Sequence, residues 1–251
     1  MKEDRIKALH NYIRENGRAS TEELCSLFNI SKNTLRRDIN ELEMQNLISK
    51  VYGGIILNDI KTTEPFESRE VKNKDAKQLI ANLASHLLED GDIIYIDSGT
   101  TTMLMIPYLE TIKNLTIITN NLHVIIKSLP YPNLNVIATG GTFLRRTNSF
   151  VNQEVINSLK KYNISKAFIA TTGVSIAKGL TNSSSFEYDI KKYVVENCDE
   201  IILLADNTKI DKISLMTYYD LKNIQVFVTN EKPASNYIEF FNHYNIKLIT
   251  P

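Results

Sequence analysis

The apolar residues in the first 30 positions follow the period of short amphipathic helices. The first helix should end at Gly17, and its inward positions are Ile6, Leu9 and Ile13. A second, short helix should open at a capping box, residues 20–23, and its inward positions are Leu24, Leu27 and Phe28. Asn29 suits the tight turn that would follow. The pattern predicts two helices and a turn.

A third helix is predicted from Lys32 to about Met44, with Ser31 as its N-cap. Its buried stripe, at spacings of four and three residues, is Leu35, Ile39 and Leu42. The polar residues of its first turns lie off that stripe: Lys32, Asn33, Thr34, Arg36 and Arg37. Arginine, amide and hydroxyl side chains on one helix face can contact both the phosphates and the base edges of DNA. A solvated helix face is the alternative interpretation.

Residues 47–56 read as two short strands around a glycine turn, which is a wing. The order of these predicted elements, two helices, a turn, a third helix and a wing, is typical of a winged helix-turn-helix DNA-binding domain. We therefore predict such a domain over residues 1–57. Lys50 and Tyr52 of the wing would be placed to touch backbone phosphate or the minor groove. A three-helix protein-interaction module is the alternative for this unit.

Residues 58–73 show little periodicity and are interpreted as a linker, in which Arg69 is expected to be solvated. From Lys74 a helical pattern returns, and short apolar runs then alternate with helical stretches. These runs are residues 93–96, 115–119, 136–138, 167–170, 201–204 and 226–228. Continuous apolar strands with intervening helices predict a mainly parallel α/β sheet covered on both faces, over residues 74–251.

Ligands of such sheets bind at the carboxyl ends of the strands. The first strand is followed by residues 97–102, Asp-Ser-Gly-Thr-Thr-Thr, where glycine permits close backbone approach and a helix N-terminus favours an anion. Further candidates after later strands are Asn120, Gly140, Gly141, Arg145 and Gly173. Arg145 could grip a phosphate in bidentate fashion. The alternative is ordinary turn material.

Composition narrows the function classes. The net charge is zero, and residues 1–57 hold nine basic and eight acidic side chains, so overall charge does not indicate nucleic-acid binding. Only the local clustering of basic side chains favours it. No apolar run reaches the ~18 residues of a membrane span, and the first residues do not resemble a secretory signal. Cys25, Cys198 and the four histidines form no metal-type spacing. These features predict a cytoplasmic protein without a metal or cofactor.

The N-terminal residues resemble the signature of DeoR-family bacterial transcription regulators. The resemblance begins with Arg5, Leu9 and Ile13 and resumes at Ser31 after a gap of seventeen residues. It continues through residues 34–39, Thr-Leu-Arg-Arg-Asp-Ile, and on to Gly53-Gly54. The family usually has an arginine and a histidine at the positions of Lys50 and Tyr52. Asp38 is expected to pair with a helix arginine and to be structural.

The resemblance extends into the second domain. Residues 97–102 are similar to the phosphate-cradling loop of ribose-5-phosphate isomerases, which recurs in DeoR-family effector domains. The family's pocket loops match at Glu187, Lys191, Asp206 and Lys209. Motif and resemblance together predict thirteen effector-binding residues: Asp97, Ser98, Gly99, Thr100, Thr101, Asn120, Gly140, Gly141, Arg145, Gly173, Glu187, Lys191 and Lys209. Asn152 and Ser165 depart from the family pattern, where glycine and an acidic residue are usual.

The leading hypothesis is a repressor of a carbohydrate-utilisation operon that a phosphorylated sugar or related metabolite releases from double-stranded operator DNA. The resemblance implies a homodimer or homotetramer. One alternative is a sugar-phosphate isomerase-like enzyme with an appended N-terminal module, with Asp97, Glu187, Lys191 and Lys209 as acid–base candidates. Another is a transcriptional activator of the same family. At i and i+4 on a helix, Glu187 and Lys191 could also form a plain surface ion pair.

Overall fold

A computed structural model describes residues 2–16, 18–44, 47–51, 54–57 and 63–251 of the chain. The chain divides into two compact units, Met1–Thr62 and Thr63–Pro251. The predicted linker, residues 58–73, therefore straddles this division. Gly17 and Tyr52, which carried sequence predictions, lie outside the described residues.

The described residues of the first unit form three helices and a small antiparallel sheet. In chain order its elements are α1 (Lys2–Asn16), β1 (Arg18–Ser20), α2 (Thr21–Leu27), α3 (Lys32–Met44), β2 (Ile48–Val51) and β3 (Gly54–Leu57). The strand order is β1-β3-β2, so the predicted wing hairpin gains a third strand that the sequence did not indicate. The winged helix-turn-helix prediction is confirmed at the level of these elements.

The local signals of this unit form the predicted contacts. The Ser20 hydroxyl accepts from the Glu23 N–H at 3.1 Å, and the Glu23 carboxylate accepts from the Ser20 N–H. Asn29 takes the left-handed backbone of the turn, with φ of 50°. The Ser31 hydroxyl accepts from the Thr34 N–H at 3.2 Å and caps α3. One prediction is wrong: Leu27 is 53% exposed, whereas Leu24 of the same helix is fully buried.

A partly buried ion pair joins α1 to α3. Arg5 Nε donates to Asp38 Oδ2 at 2.6 Å, and Arg5 Nη2 donates to Asp38 Oδ1 at 3.1 Å. Asp38 is 1% exposed, so both of its carboxylate oxygens are satisfied by one arginine fork. The expected structural role of Asp38 agrees with this geometry. The pair holds the buried side of α3 against α1, and the opposite face of α3 remains exposed to solvent.

The second unit is built on a seven-stranded sheet. Its helices are α4 (Phe66–Val71), α5 (Lys74–Ser85), α6 (Leu122–Ser128), α7 (Gln153–Leu159), α8 (Ser185–Asn197) and α9 (Ser235–His243), with a 3₁₀ helix at Thr102–Leu109. Its strands are β4 (Ile93–Ile96), β5 (Thr116–Thr119), β6 (Asn135–Ala138), β7 (Thr142–Leu144), β8 (Ser149–Val151), β9 (Lys166–Ala170), β10 (Gly173–Ser175), β11 (Gly179–Asn182), β12 (Glu200–Leu204), β13 (Met216–Tyr219), β14 (Val226–Val228) and β15 (Lys247–Ile249).

The large sheet has the order β15-β14-β12-β9-β4-β5-β6, and every pair in it is parallel. All six apolar runs predicted as strands lie in it. Successive residues of each strand point to opposite faces: Tyr95 and Ala167 enter one core cluster, whereas Ile96 and Phe168 enter the other. The predicted α/β class, a mainly parallel sheet buried on both faces, is confirmed.

The elements that the sequence pattern missed are short or lie at edges. Helix α4 falls inside the predicted linker and is anchored by Phe66, which is fully buried and stacks on His123 with ring centroids 4.2 Å apart. Its six residues are too few to show a helical period. Strands β10, β11 and β13 form a separate antiparallel sheet, and β7 pairs with β8. Such pairings depend on tertiary neighbours more than on local pattern.

The chain changes direction across the sheet between β4 and β9. From β4 the strands proceed outward through β5 to β6, and from β9 they proceed the opposite way through β12 and β14 to β15. At such a switch point the loops after the two central strands diverge and leave a crevice at their carboxyl ends. The loop after β4 holds Asp97 to Thr101, and that after β9 holds Thr171 and Thr172.

Candidate functional site

The polar side chains predicted to face DNA lie on the open face of α3. Lys32, Asn33, Arg36 and Arg37 are exposed, and Thr34 is half-buried because it bonds to Ser31. A groove of about 720 Å³ runs beside them, and its other walls come from the start of α2 and from the wing. Its polar lining is Thr21, Glu22, Lys32, Asn33, Arg36, Asn40 and Lys50.

Two of the predicted DNA-contacting lysines are already engaged within the unit. Lys32 Nζ lies 3.3 Å from Glu22 Oε1 in an exposed ion pair. Lys50 Nζ lies 2.5 Å from Glu43 Oε2 and 2.5 Å from Asn40 Oδ1. In contrast, neither Arg36 nor Arg37 forms an ion pair with any residue in the described part of the chain. The two arginines are thus the cations of α3 most available to a ligand.

In the second unit a cavity of about 280 Å³ opens at the switch point. It gathers eight of the thirteen residues predicted to bind an effector, from elements as far apart in sequence as β4 and β12. These eight are Asp97, Ser98, Gly99, Thr100, Thr101, Glu187, Lys191 and Lys209. Their assembly follows from topology, since carboxyl ends of neighbouring parallel strands share one edge of the sheet.

A buried ion pair forms the floor of this cavity. Lys191 Nζ lies 2.5 Å from Asp97 Oδ2 and donates to the Ala170 carbonyl at 2.8 Å. Asp97 Oδ2 also accepts from the Ala170 N–H at 3.1 Å. Burial lowers the pKa of Lys191, but Asp97, Tyr218 and Glu187 together outweigh that effect, and the pKa is raised overall. The pair ties α8 to the two central strands.

Glu187 is buried rather than paired with Lys191. Its Oε1 accepts from the Ser98 hydroxyl at 2.6 Å and from the Ser149 hydroxyl at 3.3 Å, and its Oε2 accepts from Asn182 Nδ2 at 3.4 Å. The alternative of a surface ion pair at i and i+4 is therefore wrong. Both side chains point from α8 into the unit and contact different partners.

The loop after β4 presents unused donors to the cavity. Gly99 is required there, because a Cβ at this position would lie 2.4 Å from the Cβ of Ala170. Thr102 closes the loop by donating to the carbonyls of Asp97 and Gly99. The hydroxyls and N–H groups of Thr100 and Thr101 donate to no described residue, although both threonines are at most 6% exposed. Such a loop suits an oxygen-rich anion.

Five predicted effector residues do not line the cavity, namely Asn120, Gly140, Gly141, Arg145 and Gly173. Asn120 accepts from the Tyr95 hydroxyl at 2.7 Å and donates to the Phe150 carbonyl, so its side chain is satisfied inside the fold. Gly141, with φ of 106°, forms the turn into β7 against the Val151 carbonyl. Arg145 is exposed in the turn between β7 and β8. The turn interpretation is favoured for Gly140, Gly141 and Arg145, whereas Gly173 lies in strand β10.

The cavity also contains residues that the sequence analysis did not select. The expectation that Arg69 is merely solvated is wrong, since it lines the cavity. Lys72 and Asn73, between α4 and α5, and Lys77 of α5 line it as well. Arg69 Nε donates to the Glu64 carbonyl at 2.9 Å, while its Nη2 is buried without a partner among the described residues. No sequence signal identified them, because the linker showed no period from which facing could be inferred.

Asp206, which the resemblance had suggested, lines the same wall. Its Oδ1 accepts from Asn73 Nδ2 at 3.2 Å and from the Thr208 N–H at 3.0 Å. Its Oδ2 is buried and has no partner in the described part of the chain. A buried carboxylate oxygen without a donor is costly, and a ligand hydroxyl in the cavity would satisfy it.

Lys77 is a buried cation, 4% exposed, whose Nζ donates to the Arg69 carbonyl. Burial lowers its pKa to about 8, an effect that the Asp206 carboxylate opposes and that Lys209 and Arg69 increase. Among the described residues, Arg69, Lys77 and Lys209 form no ion pair. The cavity therefore combines three unpaired cations with hydroxyl and amide donors, which suits a small anionic, hydroxylated ligand.

The described residues contain no cluster of three or more histidine, cysteine or acidic side chains that could hold a metal ion. Likewise, no helix among them combines the length and apolar character that crossing a bilayer would require.

Together, the winged helix-turn-helix and the α/β unit with its cavity define a DNA-binding transcription regulator with a separate sensor domain. The chain belongs to the DeoR family: residues 5–61 match the DeoR-like helix-turn-helix domain, and residues 72–231 match the DeoR C terminal sensor domain. The resemblance stated from the residues is confirmed.

Full-length relatives agree with this assignment. The chain is 42% identical over 246 residues to the HTH-type transcriptional regulator IolR of Bacillus subtilis, covering 98% of both. It is 26% identical over 248 residues to the HTH-type transcriptional repressor GlcR of the same organism, covering 98% of this chain and 95% of that one. A solved ribose 5-phosphate isomerase A from Methanocaldococcus jannaschii is similar over 55% of each chain, with 20% identity and a TM-score of 0.42.

Proposed function

We propose that this regulator is a cytoplasmic repressor of a carbohydrate-utilisation operon, and that a phosphorylated sugar or related metabolite in the cavity releases it from operator DNA. The proposal rests on one observation: Arg69, Lys77 and Lys209 line the same cavity as the hydroxyls of the loop after β4. Cations match a phosphate, and the unpartnered Asp206 oxygen matches a sugar hydroxyl.

Repression is consistent with the exposed polar face of α3 and requires only an ordinary coupling free energy between effector binding and DNA binding. An effector that prefers the weakly binding state by ~1–3 kcal/mol would change operator occupancy about 5- to 150-fold. We propose a homodimer or homotetramer, so that two reading helices meet repeated half-sites of double-stranded operator DNA. An activator would use the same residues, and a transcription assay on the target promoter separates the two.

The test is a gel shift on DNA from upstream of the gene, with a panel of phosphorylated sugars and polyols added in turn. Release by at least one phosphorylated compound, and by none of the matching unphosphorylated sugars, is the expected result. Failure of every phosphorylated compound would contradict the proposal. Turnover of a pentose or hexose phosphate by the pure protein would instead favour the isomerase-like alternative.

Arg69 and Arg145 make a matched pair for locating the phosphate. Arg69→Gln removes a cation from the cavity and should raise the effector concentration for half-release about tenfold or more, since a hydrogen bond to a charged group is worth ~1.5–3 kcal/mol. Arg145→Gln removes an exposed cation outside the cavity, so the effector concentration for half-release should stay within twofold of the wild-type value. Operator affinity without effector should match wild type in both. Equal effects of the two changes would contradict the assignment.

Effector affinity should fall as pH rises above about 8, where Lys77 loses its proton. An anion favours the charged ammonium, so binding above that pH takes up a proton and weakens. Between pH 7 and pH 9 the dissociation constant should rise about tenfold, while the phosphate monoester stays a dianion throughout. Calorimetric titration measures this, and Lys77→Met should bind more weakly at pH 7 and lose the dependence. A pH profile unchanged in Lys77→Met would assign the titration to another group.

A further inference from the structure

Asn40 lies on the reading face of α3 although the sequence analysis did not select it. It is exposed and lines the groove together with Asn33 and Arg36, at spacings of three and four residues. Residues so spaced occupy one face of a helix. Asn40 is therefore one turn beyond Arg36 on the same stripe.

The orientation of the Asn40 amide is set by the wing. Lys50 Nζ lies 2.5 Å from Asn40 Oδ1, and Glu43 Oε2, 2.5 Å from the same nitrogen, anchors the ammonium. An ammonium group can only donate, so the carbonyl oxygen of the amide must face Lys50 and the NH₂ must face away. No described residue accepts from Asn40 Nδ2. In this arrangement Asn40 offers donors to the groove, and its acceptor is occupied.

Asparagine normally recognises adenine by donating to N7 and accepting from the N6 amino group at once. With Oδ1 held by Lys50, the second of these bonds is blocked. Guanine presents two acceptors, N7 and O6, in the major groove, and these fit an outward-facing NH₂.

We propose that Asn40, oriented by Lys50, is a specificity-determining residue that recognises a guanine of the operator. Lys50 is then a positioning residue of the wing and not a phosphate contact, in contrast to the expectation from sequence. The inference rests on the proposed binding of operator DNA and is independent of the effector.

The experiment is selection of binding sites from a randomised duplex pool with the full-length chain. Wild type should prefer guanine over adenine about fivefold or more at one position of each half-site, and Asn40→Ala should reduce this preference to within twofold while other positions are unchanged. Lys50→Met frees Oδ1, so adenine should become at least as favoured as guanine at that position. Lys50→Arg keeps the donor and should retain guanine. Asn16→Ala, an exposed asparagine on α1, is the control.

Several outcomes would overturn the inference. Guanine preference that survives in Asn40→Ala would show that another residue reads the base. A uniform loss of affinity in Lys50→Met, with the salt dependence reduced by about one counterion, would make Lys50 a phosphate contact. If wild type enriches no sequence at all, operator binding itself fails; if it enriches a site that Asn40→Ala reads equally well, only this inference fails. Thermal unfolding confirms that each variant is folded.

Discussion

Replacement of both Arg36 and Arg37 by alanine should abolish the gel shift on operator DNA. Each arginine is exposed on α3 and free of ion pairs within the described residues, so both can donate to base edges or phosphates. Loss of ~1–3 kcal/mol per contact gives ~2–6 kcal/mol for the pair, which is about thirtyfold or more in affinity. Fluorescence anisotropy with labelled operator measures the change.

The same double variant should unfold at the wild-type temperature, because neither side chain contributes to the core of the first unit. Lys7→Ala removes an exposed cation from α1 and serves as the control, with operator affinity close to that of wild type. Normal binding by the double variant would mean that α3 is not the reading helix. A large fall in unfolding temperature would attribute lost binding to lost structure instead.

Lys191→Met should produce the largest loss of stability in the sensor unit. The substitution leaves Asp97 buried at 1% exposure without its cation, and removal of one partner from a buried pair costs about 3–5 kcal/mol. For a domain of this size that corresponds to a fall of about 10 °C in Tm. Differential scanning calorimetry of the full-length protein measures it.

A double-mutant cycle distinguishes the ion pair from simple loss of packing. Asp97→Asn combined with Lys191→Met removes both charges, so the double variant should be more stable than Lys191→Met alone. Additive losses would mean that the two side chains act independently. Because the pair lies on the cavity floor, stability must be measured before any loss of effector response is assigned to binding.

The DNA-reading unit could be predicted closely because its determinants are local. The capping box at Ser20, the turn at Asn29 and the N-cap at Ser31 each involve residues within three positions of one another. The apolar stripe of α3 has the helical period, and its residues Leu35, Ile39 and Leu42 are buried. The contacts of Lys50 could not be predicted in this way, since its partners Asn40 and Glu43 lie on another element.

The lining of the candidate effector cavity was predicted only in part, for a reason that Arg69 and Arg145 illustrate. Arg145 follows a glycine pair after a strand, a local pattern that favours phosphate binding, yet it is exposed outside the cavity. Arg69 sits in a segment without period, yet the burial of Phe66 against His123 forms α4 and brings the guanidinium to the cavity wall. Local pattern carries no information about that packing.

By itself the sequence determined the family, the two kinds of domain, the position of helix α3 and six of the seven strands of the large sheet, because helical period, caps and continuous apolar runs are properties of neighbouring residues. Only the tertiary structure decided which polar side chains share the cavity, that Lys191 pairs with Asp97 and not with Glu187, and that Arg69 and Lys77 join them. The contact between Asp97 and Lys191 joins residues 94 positions apart, so it depends on strand order and helix packing.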